Sequence, residues 1–152
     1  MLCGAKALSK SIRIAEKQEK IAACMDLRWA VFVQEQGVPE EEEIDGEDDM
    51  CSHVLAQVGD RPVGAARFKF VNGYVKIQRV CVPKSERGKN IGADIIRFIV
   101  RHVQQASEAT SVRLGAQVHA LDFYRKLGFQ EFGGEYMDAG IPHMDMQLDL
   151  NS

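Results

Sequence analysis

The stretch Val80–Ile96 (VCVPKSERGKNIGADII) contains residue types that bind an anionic ligand. A strand-like run is followed by a basic, glycine-containing loop that opens directly into a predicted helix. The backbone N–H groups of such a loop and of the first helical turn can surround a phosphate. Gly88 and Gly92 would let the phosphate approach the main chain, and Arg87 and Lys89 would add charge-assisted contacts. The loop matches neither the P-loop nor the GxGxxG pattern, and an ordinary strand–helix connection with solvated bases is the alternative.

Charge is unevenly distributed along a chain whose formal net charge is only −3. Residues 16–60 contain thirteen acids and three bases, whereas residues 76–126 contain ten bases and four acids. The acids are densest from Pro39 to Asp49. One interpretation is a solvated acidic loop. The other is a split site, with an anionic ligand on the later half and a cationic ligand near the acidic segment. The acidic first half disfavours nucleic acid as a partner.

Hydrophobic periodicity predicts the elements that must position these residues. Strands are expected at 11–15, 52–58, 63–71, 74–82, 112–117, 129–132 and 144–150. Helices are expected at 16–34, about 92–105 and 120–127. Asn72–Gly73 predicts a two-residue hairpin turn, because both residues tolerate a positive φ. This order predicts a mixed α/β (α+β) fold, in which helices flank one central sheet with an antiparallel meander in its middle.

Length and composition indicate one globular domain over residues 1–152, with about residues 1–10 as a loose N-terminal segment. The chain is 45% hydrophobic and 27% charged. No apolar run in it approaches the length of a membrane span, and we expect no secretory signal, because residues 1–10 have no continuous apolar core. Cys3, Cys24, Cys51 and Cys81 match no zinc motif, so we expect free thiols, no metal and a cytoplasmic location. The alternating run Met144–Leu150 suggests pairing between chains in a homodimer.

Two motifs give the chain a resemblance to a known family. Residues 87–93 (RGKNIGA) resemble the acetyl-CoA pyrophosphate loop of the GNAT N-acetyltransferase superfamily, whose pattern is Gln/Arg-x-x-Gly-x-Gly/Ala. Residues 120–129 (ALDFYRKLGF) match that family's second signature, A-x-x-F-Y-x-K-x-G-F, at the expected distance. Asn90 replaces the middle glycine, and asparagine is the residue other than glycine that best tolerates a positive φ.

The first half narrows the resemblance to the ElaA-like branch of the family. Residues 32–39 (FVQEQGVP), residues 43–45 (EID) and His53 are similar to that branch, as is the run GIPHM at residues 140–144. The resemblance covers roughly residues 12–150. It implies a GNAT-like acyltransferase fold with a mostly antiparallel sheet.

The resemblance implies that acetyl-CoA donates an acetyl group directly to an amine within a ternary complex. The backbone from Arg87 to Ala93 would hold the pyrophosphate, and the strand end at Val80–Val82 would pair with the pantetheine arm and supply an oxyanion N–H. The residues expected to bind the cofactor are Val80, Cys81, Val82, Arg87, Gly88, Lys89, Asn90, Ile91, Gly92, Ala93, Gln117, Phe123 and Lys126.

Tyr124 matches the family's general acid, which protonates the departing thiolate; otherwise it is a helix tyrosine that packs beside Phe123. The amine must also lose a proton, and the candidate bases are Glu43, His53, His119 and His143. Glu43 and His53 rank first as catalytic residues, because they flank the acidic segment and match the branch pattern. The residues expected to bind the acceptor are Glu43, Asp45, His53, Arg79 and His143.

Several alternatives stay open at this level. A thiolate at Cys81 would permit a covalent acetyl intermediate, although an apolar strand usually raises a thiol's pKa. Trp29 and Phe32 are core residues of the first helix or line an acceptor pocket, and Arg79 and His119 face the site or solvent. The acidic segment favours a cationic amine. A non-catalytic acyl-CoA sensor, or an enzyme for O-acetyl or longer acyl transfer, is the alternative function.

Overall fold

Seven strands form one sheet in the computed structural model, which describes residues 9–150. The strands are β1 (Lys10–Ala15), β2 (Ser52–Val58), β3 (Arg61–Val71), β4 (Tyr74–Cys81), β5 (Ser111–Gln117), β6 (Gln130–Asp138) and β7 (Ile141–Asp149). The α-helices are α1 (Gln18–Arg28), α2 (Glu40–Glu43), α3 (Ile91–Ala106) and α4 (Leu121–Lys126). A π-helical segment, Trp29–Glu35, continues directly from α1. The mixed, mostly antiparallel fold predicted from the sequence is confirmed.

The strand order is β1-β2-β3-β4-β5-β7-β6, and β4–β5 is the one parallel pair in the described sheet. β7 lies between β5 and β6 and is hydrogen-bonded to both. The predicted pairing of Met144–Leu150 with a second chain is therefore wrong, because both edges of this strand are already occupied. β6 forms the edge of the sheet beside β7. It extends to Asp138 and is longer than the predicted run 129–132.

Helix α3 packs on one face of the sheet through a single apolar stripe. Its buried residues are Ile91, Ala93, Ile95, Ile96, Ile99 and Val103. They pack with Val54, Ala66 and Phe68 from β2 and β3. Burying one such aliphatic side chain contributes about 1.5–3 kcal/mol, so this stripe fixes the helix against the sheet. The start of α3, beside the basic loop, is thereby held in place.

The opposite face of the sheet carries α1 and its π-helical continuation. Cys24 and Val31 pack there against Leu55, Ala65 and Cys81. The sequence predicts one α-helix over residues 16–34, whereas the helical pattern changes at Trp29. In a π-helical turn each backbone hydrogen bond spans five residues instead of four, so the side chains that share a face differ from those of an α-helix. A loose segment is expected at about residues 1–10, of which residues 1–8 lie outside the described part of the chain. Lys10 already belongs to β1.

Among residues 9–150, no helix is both long enough and apolar enough to cross a membrane.

Candidate active site

A cleft opens where β4 and β5 stop pairing. Their parallel register ends at Ile77 and Leu114, although β4 continues to Cys81 and β5 continues to Gln117. The open space has a volume of about 810 Å³. Because the strands separate there, the backbone edge of residues 78–81 that would face β5 has no strand partner on that side. An extended ligand can therefore pair with this edge.

A bulge in β4 accompanies the separation. The register with β3 shifts between the pairs Ala65–Cys81 and Arg67–Gln78, so β4 contains one additional residue. Arg79 lies within this bulge and has a φ of 58°. A left-handed backbone at a residue other than glycine costs on the order of 1–3 kcal/mol and persists only where its surroundings enforce it. Here the Arg79 side chain is held by Glu43, whose carboxylate accepts from Nε at 3.2 Å and whose backbone oxygen accepts from Nη2 at 3.0 Å.

The basic loop forms the wall of the cleft beside α3. Gly88 and Asn90 have φ angles of 81° and 64°, so Asn90 adopts the left-handed conformation that the sequence requires of it. Within residues 9–150, the N–H groups of Gly88, Lys89 and Asn90 donate to no protein acceptor. A Cβ on Gly92 would lie 3.3 Å from Cζ of Phe123, which explains the need for glycine at this close approach. The free N–H groups and the first turn of α3 form a cradle for an anion.

The basic side chains of this loop already have carboxylate partners. Arg87 makes a bidentate pair with Glu35 at 2.7 Å for each contact, and its Nε donates to the carbonyl oxygen of Val82. This pair lowers the pKa of Glu35 and raises that of Arg87. Lys89 and Arg61 bind the buried Glu86 carboxylate. Arg87 and Lys89 are both substantially exposed, so their ion pairs are weak and can be exchanged for a more highly charged anion.

Tyr124 is a buried tyrosine on α4 that also lines the cleft. Its ring packs edge-on against Phe123 and Phe129, at centroid distances of 4.9 Å and 6.0 Å. Burial raises the pKa of Tyr124 above the ordinary tyrosine value of about 10. The hydroxyl is therefore protonated at neutral pH, and it makes no hydrogen bond within residues 9–150. The side chain packs beside Phe123 and also lines the cleft.

Cys81 also lines the cleft, but its thiol is in the wrong state for nucleophilic attack. The residue is 3% exposed, and burial raises the pKa of Cys81 to about 12. The reactive form of cysteine is the thiolate, which is scarce at neutral pH when the pKa is this high. This environment gives the covalent alternative no support. Cys24 and Cys51 are free thiols as well.

Three arginines and three carboxylates form a buried cluster beneath the acidic segment, which we call the arginine–carboxylate cluster. Its members are Arg28, Arg67, Arg79, Glu43, Asp45 and Asp48. Arg28 and Arg67 are 1% and 0% exposed. The acidic segment is therefore not simply a solvated loop: it includes α2 and a turn, and part of its charge is directed inward. Sequence reasoning missed Arg28 and Arg67, whose only signal was an excess of nearby acids with no local counterions.

The contacts of this cluster explain why its two aspartates are ionised. Asp45 accepts from Arg67 at 2.6 Å, and this contact holds the pKa of Asp45 well below its usual range. Asp48 accepts from Arg28 and from Arg67, each at 2.7 Å. Although burial disfavours its charged form, these two contacts lower the pKa of Asp48. Both aspartates are consequently anionic at neutral pH and are fully engaged by arginine.

Two of the sequence-predicted residues in this region do not reach the cleft. Asp45 is turned toward Arg67, and His53 is buried on β2, where Nε2 contacts the carbonyl oxygen of Asp48 at 2.9 Å. Glu43 does line the cleft, but its Oε1 atom accepts from Arg28 at 2.7 Å and from Arg79 at 3.2 Å. One oxygen of this carboxylate is therefore already occupied by two guanidinium groups.

A polar chain joins the first half of the molecule to the end of β5. The side-chain amides of Gln36 and Gln117 donate to each other, at 3.2 Å and 3.0 Å. The oxygen of Gln117 also lies 2.6 Å from Nε2 of His119. All three residues line the cleft. Sequence reasoning did not identify Gln36, because nothing local relates it to a partner 81 residues away.

His143 lies on β7 directly opposite Gln117 on β5. Its Nδ1 atom is 2.7 Å from the carbonyl oxygen of Ile141, and its ring stacks on Tyr136 at 5.8 Å. The side chain is largely buried, yet it lines the cleft. The β6–β7 hairpin that supports it also contributes Asp138 to the lining.

The cleft gathers most of the residues predicted from the sequence. Most of the residues expected to bind the cofactor line the cleft: Val80, Cys81, Val82, Arg87, Gly88, Asn90, Ile91, Gly92, Gln117 and Phe123. Lys89, Ala93 and Lys126 do not line it. Of the residues expected to bind the acceptor, Glu43, Arg79 and His143 are present. Phe32 lines the cleft, whereas Trp29 lies outside it and is partly exposed. Within residues 9–150, no group of three or more His, Cys, Asp or Glu side chains is arranged to hold a metal ion.

Comparison with known protein families agrees with this geometry. The family model described as an acetyltransferase (GNAT) domain matches residues 12–150. The chain is 38% identical over 137 residues to YjcF of Bacillus subtilis, which is named an uncharacterized N-acetyltransferase; the match covers 90% of this chain and 97% of YjcF. It is 33% identical over 137 residues to the protein ElaA of Escherichia coli, a match that covers 86% and 88% of the two chains.

Solved structures show the same architecture. The crystal structure of Escherichia coli ElaA matches with a TM-score of 0.80 and 29% identity, covering 93% of this chain and 99% of that chain. An acyl-CoA N-acyltransferase from Pseudomonas aeruginosa matches with a TM-score of 0.82 and 26% identity, over the same shares of the two chains. The similarity therefore extends to both the sequence and the fold.

Proposed function

The chain belongs to the GNAT acetyltransferase family, in its ElaA-like branch, and on this premise we propose that it moves an acetyl group from acetyl-CoA directly to a primary amine in a ternary complex. The family assignment makes the protein an acyltransferase whose donor is an acyl-CoA. The acetyl chain length, the amine acceptor and the roles of individual residues belong to the proposal.

One observation carries the proposal. A single cleft contains the unpaired edge of β4, the cradle of free N–H groups before α3, and the protonated hydroxyl of Tyr124. Each feature answers one requirement of acyl transfer from a thioester. The cradle binds an anion, the strand edge pairs with an extended amide-containing arm, and the hydroxyl supplies a proton.

The residues present fit an acyl-CoA. The N–H groups of Gly88, Lys89 and Asn90 would receive the pyrophosphate, assisted by the positive end of the α3 dipole. Gly92 keeps open the passage between the loop and Phe123 that a side chain would narrow. Backbone groups at Val80–Val82 would align the arm that bears the thioester. When bound, the donor supplies an activated acyl group.

Tyr124 acts as the general acid in this mechanism. Its hydroxyl donates a proton to the coenzyme A sulfur as the C–S bond breaks, so that the departing group leaves as a neutral thiol. A backbone N–H in the Val80–Val82 stretch stabilises the negative charge that develops on the acyl oxygen, which is worth about 2.7–4 kcal/mol at comparable sites. The bulge at Arg79 is what turns this stretch of β4 away from β5.

The charges around the cleft support a cationic amine as the acceptor. Glu42 on α2 and Asp138 on the β6–β7 hairpin both line the cleft, and within residues 9–150 neither side chain takes part in an ion pair. The arginines that line it, Arg79 and Arg87, are both engaged by carboxylates. An ammonium group on the acceptor would therefore meet two uncompensated negative charges.

The free thiols of the described cysteines support a cytoplasmic location.

The test is a transfer assay with acetyl-CoA and a panel of spermidine, lysine, glucosamine and glycine, in which released coenzyme A and the mass of the product are measured. We expect acetylation of at least one amine, with cationic acceptors preferred. In Tyr124→Phe, kcat should fall by about 10²- to 10⁴-fold while acetyl-CoA binding, measured by calorimetry, is retained.

The matched control is Tyr74→Phe, which removes the same atom at the far end of β4. Full activity of Tyr124→Phe would contradict the role of this residue as the acid. Tight binding of acetyl-CoA by the wild-type protein without transfer to any acceptor would instead favour the sensor function. Faster transfer from a longer acyl-CoA would correct the chain length of the donor.

A further inference from the structure

We propose that His143 is the general base that removes the proton from the acceptor amine. This inference rests on the proposed function, because it names the group that prepares the nucleophile for the same transfer. An alkylamine is largely protonated at neutral pH and has no lone pair for attack until a base accepts its proton.

The structure separates His143 from the two candidates that the sequence ranks first. Glu43 faces the cleft, but one of its oxygens is already shared by Arg28 and Arg79. His53 is buried away from the cleft lining, with Nε2 directed at the carbonyl oxygen of Asp48. Protonation of Glu43 would remove one counter-charge from Arg28 and one from Arg79, and His53 does not line the cleft.

The environment of His143 selects the tautomer that a base requires. A carbonyl oxygen can only accept a hydrogen bond, so the 2.7 Å contact with Ile141 places the ring hydrogen on Nδ1. In the neutral ring Nε2 then carries the lone pair, and within residues 9–150 it has no hydrogen-bond partner. In a side chain that is 9% exposed and lines the cleft, this atom is the available proton acceptor.

Neighbouring groups hold the imidazole ring in this orientation. Tyr136 on β6 stacks on it with an interplanar angle of 23°, and the Tyr136 hydroxyl donates to Asp145 on β7 at 2.8 Å. The remaining titratable groups near this part of the cleft are His119 beside Gln117, Asp138 at the end of β6, and Tyr124 from α4. His143 on β7 pairs directly with Gln117, the last residue of β5. The proposed base therefore lies beside the end of β5, from which the chain leads into α4.

His119 is the remaining competitor, and its contacts differ. It is exposed, and its Nε2–H donates to the side-chain oxygen of Gln117, which also accepts from Nε2 of Gln36. That contact engages the nitrogen that His143 leaves free. In that tautomer the lone pair of His119 lies on Nδ1, so burial is what separates the two histidines: His119 is exposed, whereas His143 is largely buried inside the cleft.

The complete transfer is balanced without an oxidant or reductant. Nε2 of His143 accepts one proton from the ammonium group, directly or through one water, and the amine nitrogen forms a bond to the acyl carbon. The C–S bond breaks, and Tyr124 donates its proton to the sulfur. The bonded nitrogen loses its second proton to solvent as the amide forms. Solvent in the open cleft also takes the proton from His143 and returns one to Tyr124, so that each turnover releases one proton.

The first test measures the tautomer itself. Long-range ¹H–¹⁵N NMR spectra of the free protein should show His143 with hydrogen on Nδ1 and an unprotonated Nε2, with the signals assigned by their loss in His143→Asn. A ring that carries its hydrogen on Nε2 would overturn the proposal. This readout does not depend on catalytic activity, so it stays informative even if the acceptor class is wrong.

The second test is kinetic and uses the best amine of the panel. His143→Asn keeps a side-chain N–H that can donate to Ile141 but has no basic nitrogen. We expect kcat at neutral pH to fall by about 10²- to 10⁴-fold, with unchanged acetyl-CoA binding and an unchanged melting temperature. The rate of the variant should rise with pH as the free amine becomes abundant, so that the defect shrinks in alkaline solution. A purely structural role would lower the rate equally at every pH.

The control variants are His102→Asn, on α3 outside the cleft, and His119→Asn. His102→Asn should behave as the wild type does. If His119→Asn loses the pH-dependent activity while His143→Asn retains it, the base is His119 and the proposal fails. If the wild-type protein acetylates no amine, the proposed function fails instead, and the two failures are thereby distinguished.

Discussion

The basic loop (residues 84–90) keeps its arginine and lysine side chains at the surface, whereas the acidic segment (residues 39–49) directs part of its charge inward. Arg87 and Lys89 are 42% and 57% exposed in their side chains, and each has one carboxylate partner. In the arginine–carboxylate cluster, the side chains of Arg28 and Arg67 are 1% and 0% exposed and bind several oxygens. Exposed pairs exchange partners at little cost, whereas breaking a buried pair strands an uncompensated charge.

This contrast assigns different roles to two charged regions of opposite sign. The loop is suited to an exchange of partners, because the ion pairs of Arg87 and Lys89 are exposed. The acidic segment is suited to structure, because its aspartates hold the segment against β3 and its glutamate holds the bulge of β4. A density of like charges in a sequence therefore does not by itself identify a ligand site.

The largest effect is expected from Arg67→Met, which removes the central cation of the cluster. Asp45 and Asp48 would lose their shared partner, and we expect the free energy of unfolding to fall by about 3–5 kcal/mol. Urea denaturation followed by circular dichroism measures this loss. Lys69→Met, which removes a partly exposed partner of Glu47, is the control and should cost about 1 kcal/mol or less. Equal losses in the two variants would contradict the contrast.

Acid should weaken the same region. The pKa values of Asp45 and Asp48 are lowered in the folded protein, so their contribution to stability is present above the unfolded value of about 3.9 and is lost as the pH falls below it. Urea midpoints should therefore drop as the pH falls from about 5 to about 2. The drop should be smaller in Asp45→Asn, which no longer titrates, than in the matched variant Asp26→Asn. An identical drop in both would remove Asp45 as a cause.

Changes in the basic loop should affect binding rather than folding. Arg87→Ala removes charge-assisted contacts worth about 1.5–3 kcal/mol, so acetyl-CoA should bind about tenfold to a hundredfold more weakly by calorimetry. The melting temperature should stay close to that of the wild type. Arg97→Ala on α3 removes an exposed arginine outside the cleft and should leave binding unchanged. Unaltered affinity in Arg87→Ala would mean that backbone N–H groups alone hold the pyrophosphate.

The smallest effect is expected from Glu35→Gln, which releases Arg87 from its carboxylate. The exposed pair is worth about 0.2–1 kcal/mol, so acetyl-CoA should bind up to about fivefold more tightly. The gain should shrink at high salt, where the pair in the wild type is already screened. Glu108→Gln makes the same change of charge away from the cleft and serves as the control. Weaker binding in Glu35→Gln would show that Glu35 positions Arg87 instead of competing for it.

Local patterns predicted the elements around the cofactor side of the cleft. The spacing of apolar residues in α3 and the tolerance of Asn90 for a positive φ are properties of a few consecutive residues, and both appear in the structure. The two family motifs, each within one short stretch, were sufficient to identify a GNAT acetyltransferase and its mixed sheet. The roles of Tyr124 and of the pyrophosphate loop remain predictions.

The part of the cleft near Glu43, Gln117 and His143 could not be predicted from local patterns, because it depends on contacts between residues that are distant in the sequence. The pairing of β7 on both edges, the link between Gln36 and Gln117, and the burial of Arg28 and Arg67 join parts of the chain that share no local pattern. Whether Glu43 or His143 is available to a substrate likewise depended on which neighbours occupy its polar atoms. Sequence by itself determined the family and the elements, because periodicity and short motifs act locally. Only the tertiary structure decided which charges are neutralised inside and which face the cleft, because burial and hydrogen bonding are set by what packs together.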